Sequence, residues 1–335
     1  MNTDAFEKIF SDQPPFRLKA AKQLIYKNLI ENWNEASSIP QPLRRQLAEK
    51  CPLNIDAVAV TSADRKTIKA LITLDDGLKI ESVLMQPPGG RFTVCVSSQA
   101  GCPLNCVFCA TGEMGFKRNL TVTEIVAQVL YFARYLKKHN HKVTNVVFMG
   151  MGEPFLNYDN VALSLRILND NQGLNIGARH LAVSTSGIVA GIVRFAQEPL
   201  QVNLAVSLHA PTDDLRSALM PVNDTYPLEA LIGAVSDYID SSNRKVMFEY
   251  LMLEGINDRE EHAYQLIDLL KTIKKPLYMV NLIRYNTTGI FKPSKEASIK
   301  AFKDLLQTAG IETTRRYSFG EDIEAACGQL AAKPS

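Results

Sequence analysis

The chain has 335 residues, 46% of them apolar and 21% charged, with a formal net charge of +2. That length has room for two average domains, or for one large α/β domain with an appendage and an ample core. No apolar run approaches the length of a membrane span, the N-terminal MNTDAFEKIF lacks the apolar centre of a signal peptide, and so small a charge does not by itself mark a nucleic-acid-binding protein. A cytoplasmic location is expected, where thiols stay reduced and clustered cysteines bind metal or do chemistry more often than they form structural disulfides.

In chain order, a small helical region comes first, followed by short strands. FRLKAAKQLIYKNL spaces Phe16, Lys19, Ala20, Gln23, Leu24 and Lys27 at helical intervals, and IPQPLRRQLAEK opens a helix with prolines ahead of Arg44 and Arg45. TIKALITLDDGLKIESVLMQ reads as two strands joined at Asp76-Gly77, a hairpin signal. PPGG then punctuates the chain and closes an N-terminal accessory domain of residues 1–90. Beyond it, TVCVSSQ, VTNVVFMG, RHLAVSTSG, QVNLAVSLHA, RKVMFEYLML and PLYMVNLIRYN look like strands. Most are separated by helical stretches such as TVTEIVAQVLYFARYLKK and REEHAYQLIDLLKTIKK. Six strands alternating with helices imply an α/β fold with a parallel sheet, either doubly wound or an open, partial barrel, over residues 91–300. A C-terminal extension, residues 301–335, begins within the helical KEASIKAFKDLLQTAG and ends in ETTRRYSFGEDIEAACGQLAAKPS.

Alternation within the strands is informative, because successive side chains point to opposite faces. Val94 and Val96 oppose Thr93, Cys95 and Ser97; Leu181 and Val183 oppose Ala182, Ser184 and Ser186; Leu204, Val206 and Leu208 oppose Asn203, Ala205, Ser207 and His209. A fully buried parallel strand is apolar on both faces. Small polar groups on one face of three strands imply that those faces converge on a cavity for a polar ligand.

Three of the six cysteines, Cys102, Cys106 and Cys109, form a C-x-x-x-C-x-x-C run directly after the first of these strands. Structural zinc calls for four closed ligands, usually as two pairs, and no second pair is near. Three thiolates suit a [4Fe–4S] cluster whose fourth iron is left open. Pro103 and Asn105 favour a tight wrap, and Phe108 can shield the cluster.

This spacing resembles the cluster motif of radical S-adenosylmethionine (SAM) enzymes. The resemblance implies a partial (β/α)6 barrel and an open iron that binds the amino and carboxylate groups of SAM, whose reductive cleavage gives a 5′-deoxyadenosyl radical. In FMGMGEP, Gly152 and Glu153 are similar to the segment that contacts the SAM amino group, and Ser184, Ser207-Leu208-His209 and Asn286 match SAM-contacting positions of one subfamily. Taken alone, His209 reads as a core histidine; at a strand end on the polar face it is expected to touch the ligand.

CVSSQAGCPLNCVFCATG, GMGEPFLN, STSG, SLHAP, FEYLML and VNLIRYN together resemble the RlmN/Cfr family of adenosine methyltransferases, over nearly the whole chain. The resemblance implies that one SAM methylates Cys327 and that a radical from a second SAM takes a hydrogen from that methyl. The carbon then adds to adenine, and Cys95 attacks the Cys327 sulfur to release the product as a disulfide forms. Glu81 aligns with the family's base, although its plain reading is a solvated hairpin carboxylate. The implied substrates are adenosine 2503 of 23S rRNA and adenosine 37 of tRNA at carbon 2. The implied partners are these RNAs and an electron donor such as flavodoxin, with the chain a monomer.

Glu153-Pro154 and Glu249-Tyr250 favour carbon 2, whereas Arg284 and the short chain lean towards carbon 8 chemistry of the Cfr type. A catalytically silent iron–sulfur RNA-binding factor and an activase that puts a glycyl radical on a partner are the readings from other classes; neither needs Cys95 or Cys327. Phosphate contacts are expected from Arg17, Lys19, Lys22, Lys27, Arg44, Arg45, Lys117, Arg118, Arg315 and Arg316. Cys51 and Trp33 are expected to be structural.

Overall fold

The computed structural model describes residues 3–332. Three helices, α1 (Thr3–Ser11), α2 (Pro15–Tyr26) and α3 (Gln41–Lys50), open the chain. Strands β1 (Ala57–Thr61), β2 (Thr67–Thr73) and β3 (Lys79–Met85) form an antiparallel meander, with β2 and β3 joined through Asp76-Gly77. β3 pairs with β4 (Thr93–Cys95), setting Val83 opposite Cys95, so the meander continues directly into the following sheet.

After β4 come the short strand β5 (Gln99–Ala100), α4 (Ala110–Glu113), β6 (Arg118–Asn119) and α5 (Val122–Lys138). Strand–helix alternation continues with β7 (Asn145–Phe148), α6 (Tyr158–Asn169), β8 (Leu181–Thr185), α7 (Val189–Phe195), β9 (Asn203–Ser207), α8 (Asp213–Leu219) and α9 (Leu228–Ser242). It closes with β10 (Val246–Met252), α10 (Glu260–Lys271), β11 (Tyr278–Arg284), α11 (Glu296–Thr308) and β12 (Thr313–Arg316). The ten-stranded sheet has the order β1-β2-β3-β4-β7-β8-β9-β10-β11-β12, parallel from β4 onward. This is the expected partial barrel of six parallel strands, with β12 as a seventh. TTRR is too polar to signal a strand, and at the sheet edge only Thr313 of the four is buried.

The expected alternation holds. Val94, Val146, Leu181, Val183, Leu204, Val206 and Phe248 are buried on the face away from the cavity, where each large side chain contributes about 1.5–3 kcal/mol. Their neighbours Cys95, Val147, Ala182, Ser184, Ser207 and Glu249 line cavities. α5 shows why the helices sit where they do. Thr121 and Glu124 form a capping box, Lys137 and Lys138 occupy the last turn, and Ile125, Val129, Phe132 and Leu136 bury one face. From the same helix, Arg134 donates to the carbonyls of Leu53 (2.8 Å) and Ile30 (2.7 Å), tying the N-terminal helices to the barrel. Trp33 and Cys51 are buried there, and the indole N–H donates to the Cys51 carbonyl at 2.7 Å, a structural role for both.

Candidate active site

The loop carrying the three cysteines is folded by its own backbone. Gly101 lies at φ +78, and a Cβ there would stand 1.8 Å from the Gly115 carbonyl oxygen, so only glycine lets the two arms of the loop approach. Asn105 takes the left-handed conformation at φ 50. The β5–β6 pair closes the loop, and Val107 donates to the Leu219 carbonyl at 3.1 Å. Cys102, Cys106 and Cys109 all line one inner cavity of about 160 Å³, together with Phe108, Gly150, Gly152, Glu153, Ser184, Ser186, Ser207 and His209.

Burial pushes all three thiols up, Cys102 to about 12; Cys109 raises Cys102 further, Cys109 and Cys102 raise Cys106, and Cys327 raises Cys109. Thiolates at these positions therefore require a positive charge among them. Among the described residues, no three His, Cys, Asp or Glu side chains are grouped to hold a metal ion. A donor set of three thiols suits a [4Fe–4S] cluster with one iron left open better than it suits a closed structural zinc site.

The remaining wall is built from strand ends. Glu153 is buried, and its carboxylate accepts from the amides of Phe155 (3.0 Å) and Ser186 (2.7 Å). Burial pushes its carboxyl up, and those two bonds oppose the shift. Gly152, at φ +94, leaves no room for a Cβ against Gln99, whose side chain accepts from the Glu153 amide at 2.8 Å. His209 is buried with its ring edge-on to Phe108 at 5.0 Å, and Nδ1 accepts from the Leu251 amide at 3.1 Å. Burial, with the Arg216 guanidinium adding to it, drives the imidazole pKa down to about 3. It is a neutral donor through Nε2 and not a proton shuttle. Leu208 lies outside both cavities; its carbonyl accepts from Nε of the buried Arg216 at 3.2 Å. Arg216 also donates to the Ser186 carbonyl at 2.6 Å, so it fixes two strand ends at once. Nothing in the sequence marks that role, whereas Ser186 was legible as the alternation partner of Ser184.

A second, outer cavity of about 700 Å³ holds Cys95, Asn286, Arg91, Arg315, Tyr317 and Phe319. It shares Cys109, Met149, Glu249, Arg316 and Cys327 with the inner one. Cys327 thus stands where the cluster thiols and Cys95 both have access, and it is exposed. Its carbonyl accepts from Asn286 Nδ2 at 3.3 Å. Asn286 Oδ1 is buried without a hydrogen-bond partner, whereas Glu249 Oε2 is compensated by the Arg316 guanidinium. Burial pushes the Cys95 thiol up to about 12, Cys327 adds to this, and Arg316 works against it. Arg316 reaches Met149 Sδ (3.3 Å) and Glu249 Oε2 (3.6 Å). Burial disfavours its charge, but Glu249, Cys327 and Cys95 outweigh that and raise its pKa.

Glu81 is placed differently from either expectation. It is buried, lines neither cavity, and pairs with Lys69 Nζ at 3.1 Å. Its Oε2 accepts from the amides of Ala331 (2.8 Å) and Ala332 (3.0 Å). It is therefore not a solvated carboxylate, and in this arrangement it does not face the base-sized outer cavity. Of the basic residues, Lys19, Lys22, Lys27, Arg45 and Lys117 are exposed. Arg118 is held by Asp76 and Glu124, and Arg315 by Glu296.

Comparison with known proteins agrees with this geometry. Residues 96–267 match the model of the radical SAM superfamily. A protein of Dictyoglomus thermophilum described as a dual-specificity RNA methyltransferase, RlmN, is 44% identical over 96% of this chain and 91% of its own. One of the same description from Enterococcus faecalis is 45% identical over 95% and 90%. The crystal structure of a radical SAM methyltransferase from Sphaerobacter thermophilus superposes with a TM-score of 0.94 at 44% identity, covering 99% of this chain and 97% of that one. With three cysteines lining one cavity of a partial barrel and full-length likeness of this order, the chain belongs to the radical SAM superfamily and, within it, to the family of RlmN dual-specificity RNA methyltransferases.

Proposed function

We propose that this chain methylates carbon 2 of adenosine 2503 in 23S rRNA and of adenosine 37 in tRNA, with Cys327 carrying the carbon. The observation that carries the reading is the position of Cys327 in the wall shared by the cavity of the cluster thiols and the cavity of Cys95. The description of its relatives as dual-specificity RNA methyltransferases supports two RNA substrates and a cytoplasmic site of action. Cys102, Cys106 and Cys109 hold the cluster, and the wall from Gly152 to His209, with Glu153, Ser184 and Ser207, holds SAM, while Asn286, in the outer cavity, holds the Cys327 backbone. When bound, these groups supply a methyl group and an alkyl radical, fed by an external one-electron donor of the flavodoxin type.

Carbon 2 of adenine has no lone pair, so it cannot take a methyl group by attacking SAM. A carbon already bonded to Cys327 removes that difficulty, because it is delivered after losing a hydrogen. The outer cavity is large enough for a base swung out of its stack, and Arg91, Arg315, Tyr317 and Phe319 give it the basic and aromatic lining that a nucleotide needs. Release falls to Cys95. Once the adduct has given up one electron to the external one-electron couple and the proton of carbon 2, the Cys95 thiolate forms an S–S bond to Cys327, the S–C bond breaks, and the electron pair stays with the carbon, which takes a proton. Two electrons from an external dithiol, itself oxidised to a disulfide, then restore both cysteines. Anaerobically reconstituted protein should consume SAM and yield 2-methyladenosine from ribosomal RNA. Cys95→Ala should instead accumulate a ribonuclease-sensitive protein–RNA adduct that maps to Cys327. Free turnover by that variant would refute the assigned release step.

A further inference from the structure

We infer that the buried Lys69–Glu81 pair is a positioning device that grips both arms of the Cys327 loop; the inference rests on Cys327 being the carrier. Lys69 and Glu81 are diagonal neighbours across β2 and β3, on one face of the hairpin, with side chains 5% and 2% exposed. A hairpin has no need of a buried ion pair, since desolvating two charges commonly offsets their attraction. What this pair does beyond neutralising itself is reach the C-terminal segment on both sides of one cysteine.

On the upstream arm, Lys69 Nζ donates to the carbonyl of Glu324 at 3.5 Å. The same arm is seated on the hairpin by the Ala63 amide, which donates to Asp322 at 2.8 Å, and by the close approach of Gly320 to Thr67. On the downstream arm, Glu81 takes both tail amides on Oε2 while Oε1 faces Lys69. Between these anchors, the loop is further held through the carbonyls of Cys327 and Gly328, which accept from Asn286 (3.3 Å) and from Ala110 beside the cluster (2.8 Å). The loop is fixed at its ends and its cysteine is left exposed, as suits a sulfur that must serve two cavities. Lys69 and Glu81 stand on the antiparallel hairpin, outside the parallel strands of the barrel, so an element beyond the barrel seats the segment that carries Cys327.

The test uses the reconstituted holoenzyme without RNA. It compares Glu81→Ala, a chain ended after Leu330, both changes together, and the neutral pair Lys69→Met/Glu81→Gln. Methylation of Cys327 from labelled SAM should slow about tenfold or more in each of the first two, because charge-assisted bonds to the tail are lost. The combination should be no slower than the worse single change, since both remove the same contact. The neutral pair keeps an acceptor for the tail amides and should recover most of the rate, which a fold-level defect would not allow. Iron content should match the unaltered enzyme throughout. Independently of any methylation, the amides of Ala331 and Ala332 should exchange hydrogen faster in Glu81→Ala. Unchanged exchange, additive slowing, or normal Cys327 methylation followed by arrest only after RNA is added would each overturn the positioning role. The last of these would return Glu81 to the part of a base acting on RNA. Failure of the unaltered enzyme to methylate Cys327 would count against the carrier reading, while the exchange experiment still decides the grip.

Discussion

Gly101→Ala should strip the protein of its cluster, and the cost can be worked from the loop. At φ +78 an alanine pays about 1–2 kcal/mol for the left-handed conformation. Its Cβ would lie 1.8 Å from the Gly115 carbonyl oxygen and 2.9 Å from the carbonyl carbon. Both are backbone atoms, so no side chain can swing aside and the two arms must part. Overpacking of that kind adds about 1–3 kcal/mol, for a total of about 2–5 kcal/mol. Much of it falls on the segment that presents Cys102, Cys106 and Cys109. Gly115→Ala is the matched control: φ is +66, but nothing lies within 4 Å, so only the conformational strain of about 1–2 kcal/mol applies. Urea unfolding of the unloaded chains, read with iron content after reconstitution, should show a larger loss of stability and of iron in Gly101→Ala than in Gly115→Ala. Equal losses in the two variants would refute the steric argument.

Replacing Cys102, Cys106 or Cys109 with Ala should abolish iron–sulfur absorption and SAM cleavage, while Cys327→Ala keeps both and loses only methyl transfer; absorption spectra with deoxyadenosine quantification check this. With its thiol pushed up to about 12, alkylation of Cys95, followed by peptide mass spectrometry, should rise about tenfold per pH unit through pH 7–11; the thiolate is the disfavoured form, so rising pH favours reaction, whereas an ordinary thiol would level off above about pH 9. Arg316→Met should slow that alkylation about tenfold at any one pH within this range, because the cation that favours the Cys95 thiolate is gone.

What could be read from the sequence was local. The six barrel strands, the hairpin at Asp76-Gly77 and the polar face of β8 and β9 follow from period-two alternation and turn residues, which act over a few positions. The cysteine loop was legible because its spacing is itself the signal. β12 escaped notice because its edge position permits polar residues that look like loop. The setting of Glu81 could not be foreseen, because its partners Ala331 and Ala332 lie 250 and 251 residues away and are bonded through backbone amides, which carry no side-chain signature. Arg316 was read as one surface cation among ten, yet its neighbours Glu249, Met149 and the two reactive cysteines come from three other strands and the tail. Only the closing of the barrel brings them together.

The most direct measurement of the central claim follows the hydrogens of the transferred carbon. The reconstituted enzyme is given SAM with a trideuterated methyl group and ribosomal RNA, and the nucleosides are resolved by chromatography and mass. A carbon that loses one hydrogen while bonded to Cys327 should arrive as 2-methyladenosine bearing two deuteriums. A product that keeps all three would contradict the account, since the methyl group would then have passed to RNA intact.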